Sequence, residues 1–120
     1  MTTTLLSAKT TEAKQYKSYN QNGVASWYGR QFHGRTTANG EKFDMHSMTG
    51  AHKTLPLGCT VRVTNKDNGK SVVIKVNDRG PFVGNRILDL SYGASKVLGF
   101  TDKGTTNVHI EVLKLPDRKK

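Results

Sequence analysis

Apolar and polar positions alternate along most of this chain. From Thr60 to Asn65, Val61 and Val63 face one way and Arg62 and Thr64 the other, the period-two pattern of a half-buried strand. Lys66, Asp67, Asn68 and Gly69 follow, and an Asn-Gly pair accepts the positive φ of a tight turn. Ser71–Val76 then reads as the returning strand of a hairpin. Val108, Ile110 and Val112 alternate through Asn107–Leu115. Shorter strands are predicted at Gly23–Tyr28 and Arg86–Leu90. Ser91 is placed to cap a helix from Tyr92 to Leu98, and Gly99 to end it. Many short strands with one or two short helices predict a mainly β fold, a compact barrel.

Composition narrows this picture. The 120 residues make one domain, and 12 glycines suit a turn-rich fold. The longest apolar run is Val72-Val73-Ile74, far short of the ~20 residues of a membrane helix. The N-terminus lacks the apolar core of ~7–15 residues of a secretory signal. Residues 1–21, rich in Thr, Ser, Lys and Gln, read as a flexible arm. Residues 22–115 form the body and 116–120 a basic tail. The net charge is +10, and about six of those charges lie between residues 21 and 115. The body itself is basic and suits an anionic partner: nucleic acid, membrane or cell-wall polymer.

Candidate chemistry is confined to a few segments. Asn39-Gly40-Glu41-Lys42-Phe43-Asp44 places two carboxylates three residues apart in a loop, or is a surface turn. Val76-Asn77-Asp78-Arg79-Gly80-Pro81-Phe82 runs a strand into a loop, and Asp78 stands at that junction, where sites are often built. Asp78 could equally cap the turn and pair with Arg79 or Arg86. His52 is a candidate polar group or a hydrogen-bonded structural histidine. His33, His46, His52 and His109 lack the spacing of a metal site, so no metal is expected. Trp27, Tyr28, Phe32, Phe43 and Phe82 lie near the same loops and suit either a core or the apolar face of a sugar. Cys59, the one cysteine, has no neighbouring base and reads as buried and inert. There is no phosphate-binding loop, no dinucleotide fingerprint and no nucleophile elbow, so no nucleotide cofactor is expected.

Five ordered segments together resemble a known family. They are Gly23-Val-Ala-Ser-Trp-Tyr-Gly29, Phe32-His-Gly-Arg-Thr-Thr-Ala-Asn-Gly-Glu41, Ala51-His-Lys-Thr-Leu-Pro-Leu-Gly58, Val76-Asn-Asp-Arg-Gly-Pro-Phe82 and Arg86-Ile-Leu-Asp-Leu-Ser91. Residues 23–113 are similar to the double-psi β-barrel of the rare lipoprotein A family, with Cys59 standing where that family usually has Thr. The resemblance implies a six-stranded double-psi β-barrel. It also implies a bacterial, exported protein of the periplasm, outer membrane or cell surface. Its partners are then peptidoglycan glycan strands and division or wall-synthesis proteins, with no nucleic acid and a monomeric state.

The implied activity is lytic transglycosylation on glycan strands poor in stem peptides. The MurNAc–GlcNAc β-1,4 bond is cut by the muramic C6 hydroxyl, which leaves a 1,6-anhydro end, and no cofactor is required. One carboxyl can serve both proton transfers, unlike the flanking pair of ordinary glycosidases. The resemblance puts the catalytic aspartate at Asp78, with Glu41 and His52 assisting. Asp44, Trp27, Tyr28, Phe32, Asn39, Asn77 and Arg79 would hold the glycan. As a proton donor Asp78 needs a site that raises its pKa above the usual ~3.9, and Glu41 or Asp44 is expected close by for that purpose. The competing reading is a non-catalytic wall-binding module of expansin type.

Overall fold

The computed structural model describes residues 19–82 and 84–116. Six strands close into a barrel: β1 (Asn20–Tyr28), β2 (Thr49–Ala51), β3 (Thr60–Asn65), β4 (Ser71–Asp78), β5 (Leu88–Ser91) and β6 (Thr105–Lys114). Their order around the barrel is β1-β5-β2-β4-β3-β6. β1 runs parallel to β5 and β2 parallel to β4, while the other four pairs are antiparallel. This is the mainly β, double-psi barrel that the sequence pattern and the resemblance predict. One helix, α1 (Tyr92–Leu98), packs on the outside, and a single 3-10 turn spans Arg30–Phe32. Most of the expected arm and tail, residues 1–18 and 117–120, lie outside the described residues.

The alternating valines fill the barrel. Val61, Val63, Val108 and Ile110 are wholly buried, together with Ile74, Val76, Leu88 and Leu90. The predicted hairpin pairs Thr60 with Lys75 and Thr64 with Ser71, and Gly69 turns it at φ 79°. Its tip does further work through Asn65, which is buried. The Asn65 amide donates to the carbonyl of Leu98 at 2.9 Å, and its oxygen accepts from the Thr106 hydroxyl and the Asp67 amide. The hairpin thereby ties off the C-terminal end of α1.

The helix begins and ends as its capping residues predict. The Ser91 hydroxyl accepts from the Ala94 amide, and Gly99 leaves the helix at φ 79°. Several boundaries differ from the sequence reading: β4 runs on to Asp78 and β6 spans Thr105–Lys114. β1 starts at Asn20, inside the expected arm, because Asn20, Gln21 and Asn22 pair with the long β6. β5 starts at Leu88 rather than Arg86. β2, only Thr-Gly-Ala, was not expected at all.

Helix and loop meet at Gly93. Its amide donates to the carbonyl of Met45 at 2.8 Å, and a Cβ there would lie 2.5 Å from the carbonyl oxygen of His46. Only glycine allows the 45–48 segment to lie this close to α1. Gly93→Ala should therefore destabilise the domain by about 1–3 kcal/mol, the usual range for overpacking. Urea unfolding followed by circular dichroism will measure it.

Candidate active site

A cavity of about 350 Å³ lies on the outer face of the barrel where β1, β5, β2 and β4 adjoin. Its floor holds two carboxylates. Ala51 of β2 pairs with Asp78 on one side and Asp89 on the other. Two strand spacings of ~4.8 Å put their backbones about 10 Å apart. Ala51, buried and small, leaves the space between them open.

Asp78 reaches this face through an irregularity. Ile74 and Val76 point into the core, so unbroken alternation would send Asp78 inward as well. The register shifts instead: Gly50 pairs with Val76, and Ala51 pairs with Asp78, skipping Asn77. The extra residue of such a bulge re-aims the side chain that follows it. Asp78 Oδ1 then accepts the backbone amides of Ala38 (3.0 Å) and Arg79 (2.9 Å).

Asp89 is held differently. Its Oδ1 accepts from the Ser26 hydroxyl and lies 3.7 Å from Arg86 Nε. Tyr28 stands beside both acids. Its hydroxyl is buried without a hydrogen-bond partner among the described residues. Burial, followed by the charges of Asp78 and Asp89, pushes its pKa well above the ordinary tyrosine value, so it remains a neutral donor. Phe43 stacks on Tyr28 at 4.6 Å between ring centroids. Phe32 and Phe82 form the apolar rim, and Phe82 is 78% exposed.

Of the residues expected from sequence, Asp78, Tyr28, Phe32 and Arg79 line this groove. The Arg79 guanidinium turns away from the Asp78 carboxylate and donates to the carbonyls of His52 and Leu55. The others stand elsewhere. Glu41 lies outside the groove, paired with Lys75 at 2.9 Å and with the Asn77 amide; these bonds lower its pKa and suit a fixed anion rather than a proton carrier. Asp44 is exposed and closes its own turn on the His46 amide and the Ser47 hydroxyl, which lower its pKa. Neither acid lines the groove with Asp78; the second carboxylate there is Asp89. Asn39 accepts from the Thr37 hydroxyl and the Glu41 amide and so shapes the 37–41 turn. Asn77 is buried within the bulge. The Trp27 indole donates to the carbonyl of Thr101 and packs on Tyr92, away from the groove.

His52 is a framework residue. It is 2% exposed. Nδ1 accepts the amides of Thr54 and Leu55, and Nε2 donates to Gln21 Oε1 at 2.9 Å. Burial, then Arg79 and Lys53, lowers its pKa to about 4. It acts on the groove indirectly, because its own amide donates to the Asp78 carbonyl. Asp89 was missed by sequence reasoning. The available signal was the alternation Leu88-Asp89-Leu90, which sets one acid on the outer face of a core strand.

Two measurements follow from these environments. Neutral His52 accepts two amide bonds that protonation removes, and the unfolded histidine titrates near 6.5. The unfolded chain therefore binds the extra proton first. Stability contributed by His52 is complete above pH ~6.5 and is lost as the pH falls toward about 4. Urea unfolding across that range should show the decline, and His52→Gln should flatten it. Cys59 is buried, and burial pushes its thiol up to about 11. It should resist iodoacetamide at pH 8 in the folded protein and react once urea unfolds it. Rapid native alkylation would overturn that assignment.

Comparison with known proteins identifies the family and the fold. Residues 20–110 match the family described as lytic transglycolase. The chain is 58% identical over 100 residues to the endolytic peptidoglycan transglycosylase RlpA of Vibrio cholerae, covering 83% of this chain and 38% of that protein. It is 56% identical over 101 residues to RlpA of Neisseria meningitidis serogroup B, covering 84% and 42%. The chain thus spans less than half the length of these curated relatives. Among solved structures, a Streptomyces papain inhibitor superposes with a TM-score of 0.65 at 23% identity, covering 80% of this chain and 96% of that one. A mutant Clavibacter michiganensis expansin in complex with cellohexaose gives 0.65 at 20% identity, covering 85% and 54%. With the family matched over most of the barrel, and over the strands that carry both groove aspartates, this chain belongs to the lytic transglycolase family of double-psi β-barrels.

Proposed function

We propose that this domain is an endolytic peptidoglycan transglycosylase. It cuts the MurNAc–GlcNAc β-1,4 bond and leaves a 1,6-anhydro-MurNAc end. The observation that carries this reading is the groove itself: two carboxylates flanking Ala51, a neutral tyrosine hydroxyl near both, and aromatic rims for a sugar ring. The basic body suits an anionic wall polymer as substrate, and we infer from this reading that the domain works in the cell envelope.

The reaction needs a proton given to the departing GlcNAc oxygen and a proton taken from the C6 hydroxyl of MurNAc. One carboxyl can perform both in turn. We assign that role to Asp78, whose orientation is set by two backbone amides and which forms no ion pair among the described residues. Asp89, ion-paired with Arg86 and held by Ser26, supplies negative charge beside the oxocarbenium-like anomeric carbon. The C6 oxygen then closes on C1, and water takes no part in the bond exchange. Tyr28 is placed to donate to a sugar oxygen. His52 and Glu41 become positioning residues: His52 orders the 52–55 loop, and Glu41 joins the 37–41 turn to β4.

Purified sacculi and mass spectrometry of released products test the assignment. The unaltered protein should release glycan with anhydro ends. Asp78→Asn should reduce that release 10²–10⁴-fold, the usual weight of general acid–base catalysis, while the fold and sacculus binding persist. Asp89→Asn should also lose most activity, and Tyr28→Phe about tenfold, the value of one hydrogen bond. Full product yield from Asp78→Asn would move the acid to Asp89. Sacculus binding without any anhydro product would make the domain a wall-binding module.

A further inference from the structure

A second cleft opens beyond the 3-10 turn, away from the two aspartates. It measures about 560 Å³, and its walls include Trp27, Tyr92, Arg30, Gln31, His33 and His46. Trp27 and Tyr92 pack on one another, tilted by 53° with centroids 5.4 Å apart, and both border the cleft. The Lys96 ammonium lies over the Tyr92 ring. The rings of His33 and His46 meet edge to face at 6.0 Å, and His46 meets Tyr92 at 5.9 Å.

The polar groups here are nearly all donors or cations. His33 Nδ1 accepts the Met45 amide, so its ring proton sits on Nε2. Arg30 brings a guanidinium and forms no ion pair among the described residues. No acidic residue lines the cleft among the described residues. The Asp44 carboxylate accepts the His46 amide and the Ser47 hydroxyl and keeps its charge close to His46 and His33. The floor is held in place as well: Gly93 locks the 45–48 segment against α1, and the Trp27 indole is anchored on Thr101. Aromatic faces accept the apolar side of a sugar ring, and a guanidinium flanked by imidazoles accepts a carboxylate.

We propose that this cleft is a second sugar site, selective for a sugar that carries a carboxylate. The ring lies against Trp27 and Tyr92, and the carboxylate meets Arg30 with His33 and His46 beside it. Gln31 offers an amide to the hydroxyl or acetamido groups. The choice of an acidic amino sugar rests on the reading that the domain acts on wall glycan. The site itself is separate from the groove and can fail or stand independently of it. The carboxylate could belong to the sugar's own lactyl group or to a peptide attached to it, and Arg30 recognises either.

Trp27 is the one tryptophan of the chain, so its fluorescence reports this cleft directly. Titration with N-acetylmuramic acid should give a saturable change, and N-acetylglucosamine, which lacks the carboxylate, should bind at least about tenfold more weakly. N-acetylmuramyl dipeptide forms the second arm, and the tighter of the two acids names the source of the carboxylate. Arg30→Gln should weaken both acids by a similar factor, and Arg30→Lys should restore part of it, with circular dichroism confirming the fold. Phe82→Ala, on the rim of the groove, should leave the response unchanged. The proposal is overturned by no change in Trp27 emission, by equal binding of the neutral sugar, by an Arg30→Gln variant that binds normally, or by loss of the signal in Phe82→Ala. Cleavage of sacculi is read separately, so a protein that fails there but passes this titration keeps the second site and loses only the catalytic reading.

Discussion

The barrel depends on a three-residue strand. Thr49, Gly50 and Ala51 are all that joins β4 to β5, and without them both would be open edges with unpaired backbone groups. The strand can lie there only because its residues are small. A Cβ on Gly50 would stand 2.8 Å from Ile74 Cδ1 and 3.2 Å from the Asp89 carbonyl. Closure of the sheet and the openness of the groove are therefore the same requirement. Any larger residue at 51 would occupy the space between Asp78 and Asp89, and any larger residue at 50 would spread the barrel.

The acids on either side of that strand are oriented by different means. Asp78 is set by a bulge and two backbone amides, contacts that no side-chain exchange removes. Asp89 is set by Ser26 and Arg86, both side chains. Tyr28 feels both charges and stays protonated beside them.

The loops that shape the surface are tied to the barrel by polar and close-packed contacts. His52 orders its own loop, and Arg79 clamps the same loop through its carbonyls. Glu41 and Lys75 join the 37–41 turn to β4. Gly93 fixes the 45–48 segment on α1, which gives the second cleft its wall. Apart from the local bonds of His52, these contacts join residues far apart in the chain, so a small domain gains two concave surfaces from one core.

What the sequence determined by itself is what neighbouring residues decide. The β3–β4 hairpin follows from alternating valines and an Asn-Gly turn, α1 from Ser91 and Gly99, and the face of β6 from Val108, Ile110 and Val112. Motif resemblance added the double-psi topology and the choice of Asp78 as the catalytic acid. Tertiary structure decided the rest. β2 carries no periodic signal, because three small residues become a strand only between two partners. Glu41, Asp44 and His52 were indistinguishable from active-site groups until Lys75, the 44–47 turn and the 52–55 amides were seen to occupy them. Asp89 was one acid in a short alternating run until Ala51 set it opposite Asp78. Even Asp78 faces the groove only through the bulge at Asn77, since strict alternation would have buried it. Local preferences are short-ranged and readable along the chain; a site is made by strands meeting across the barrel, and their register is set by closure and packing of the whole.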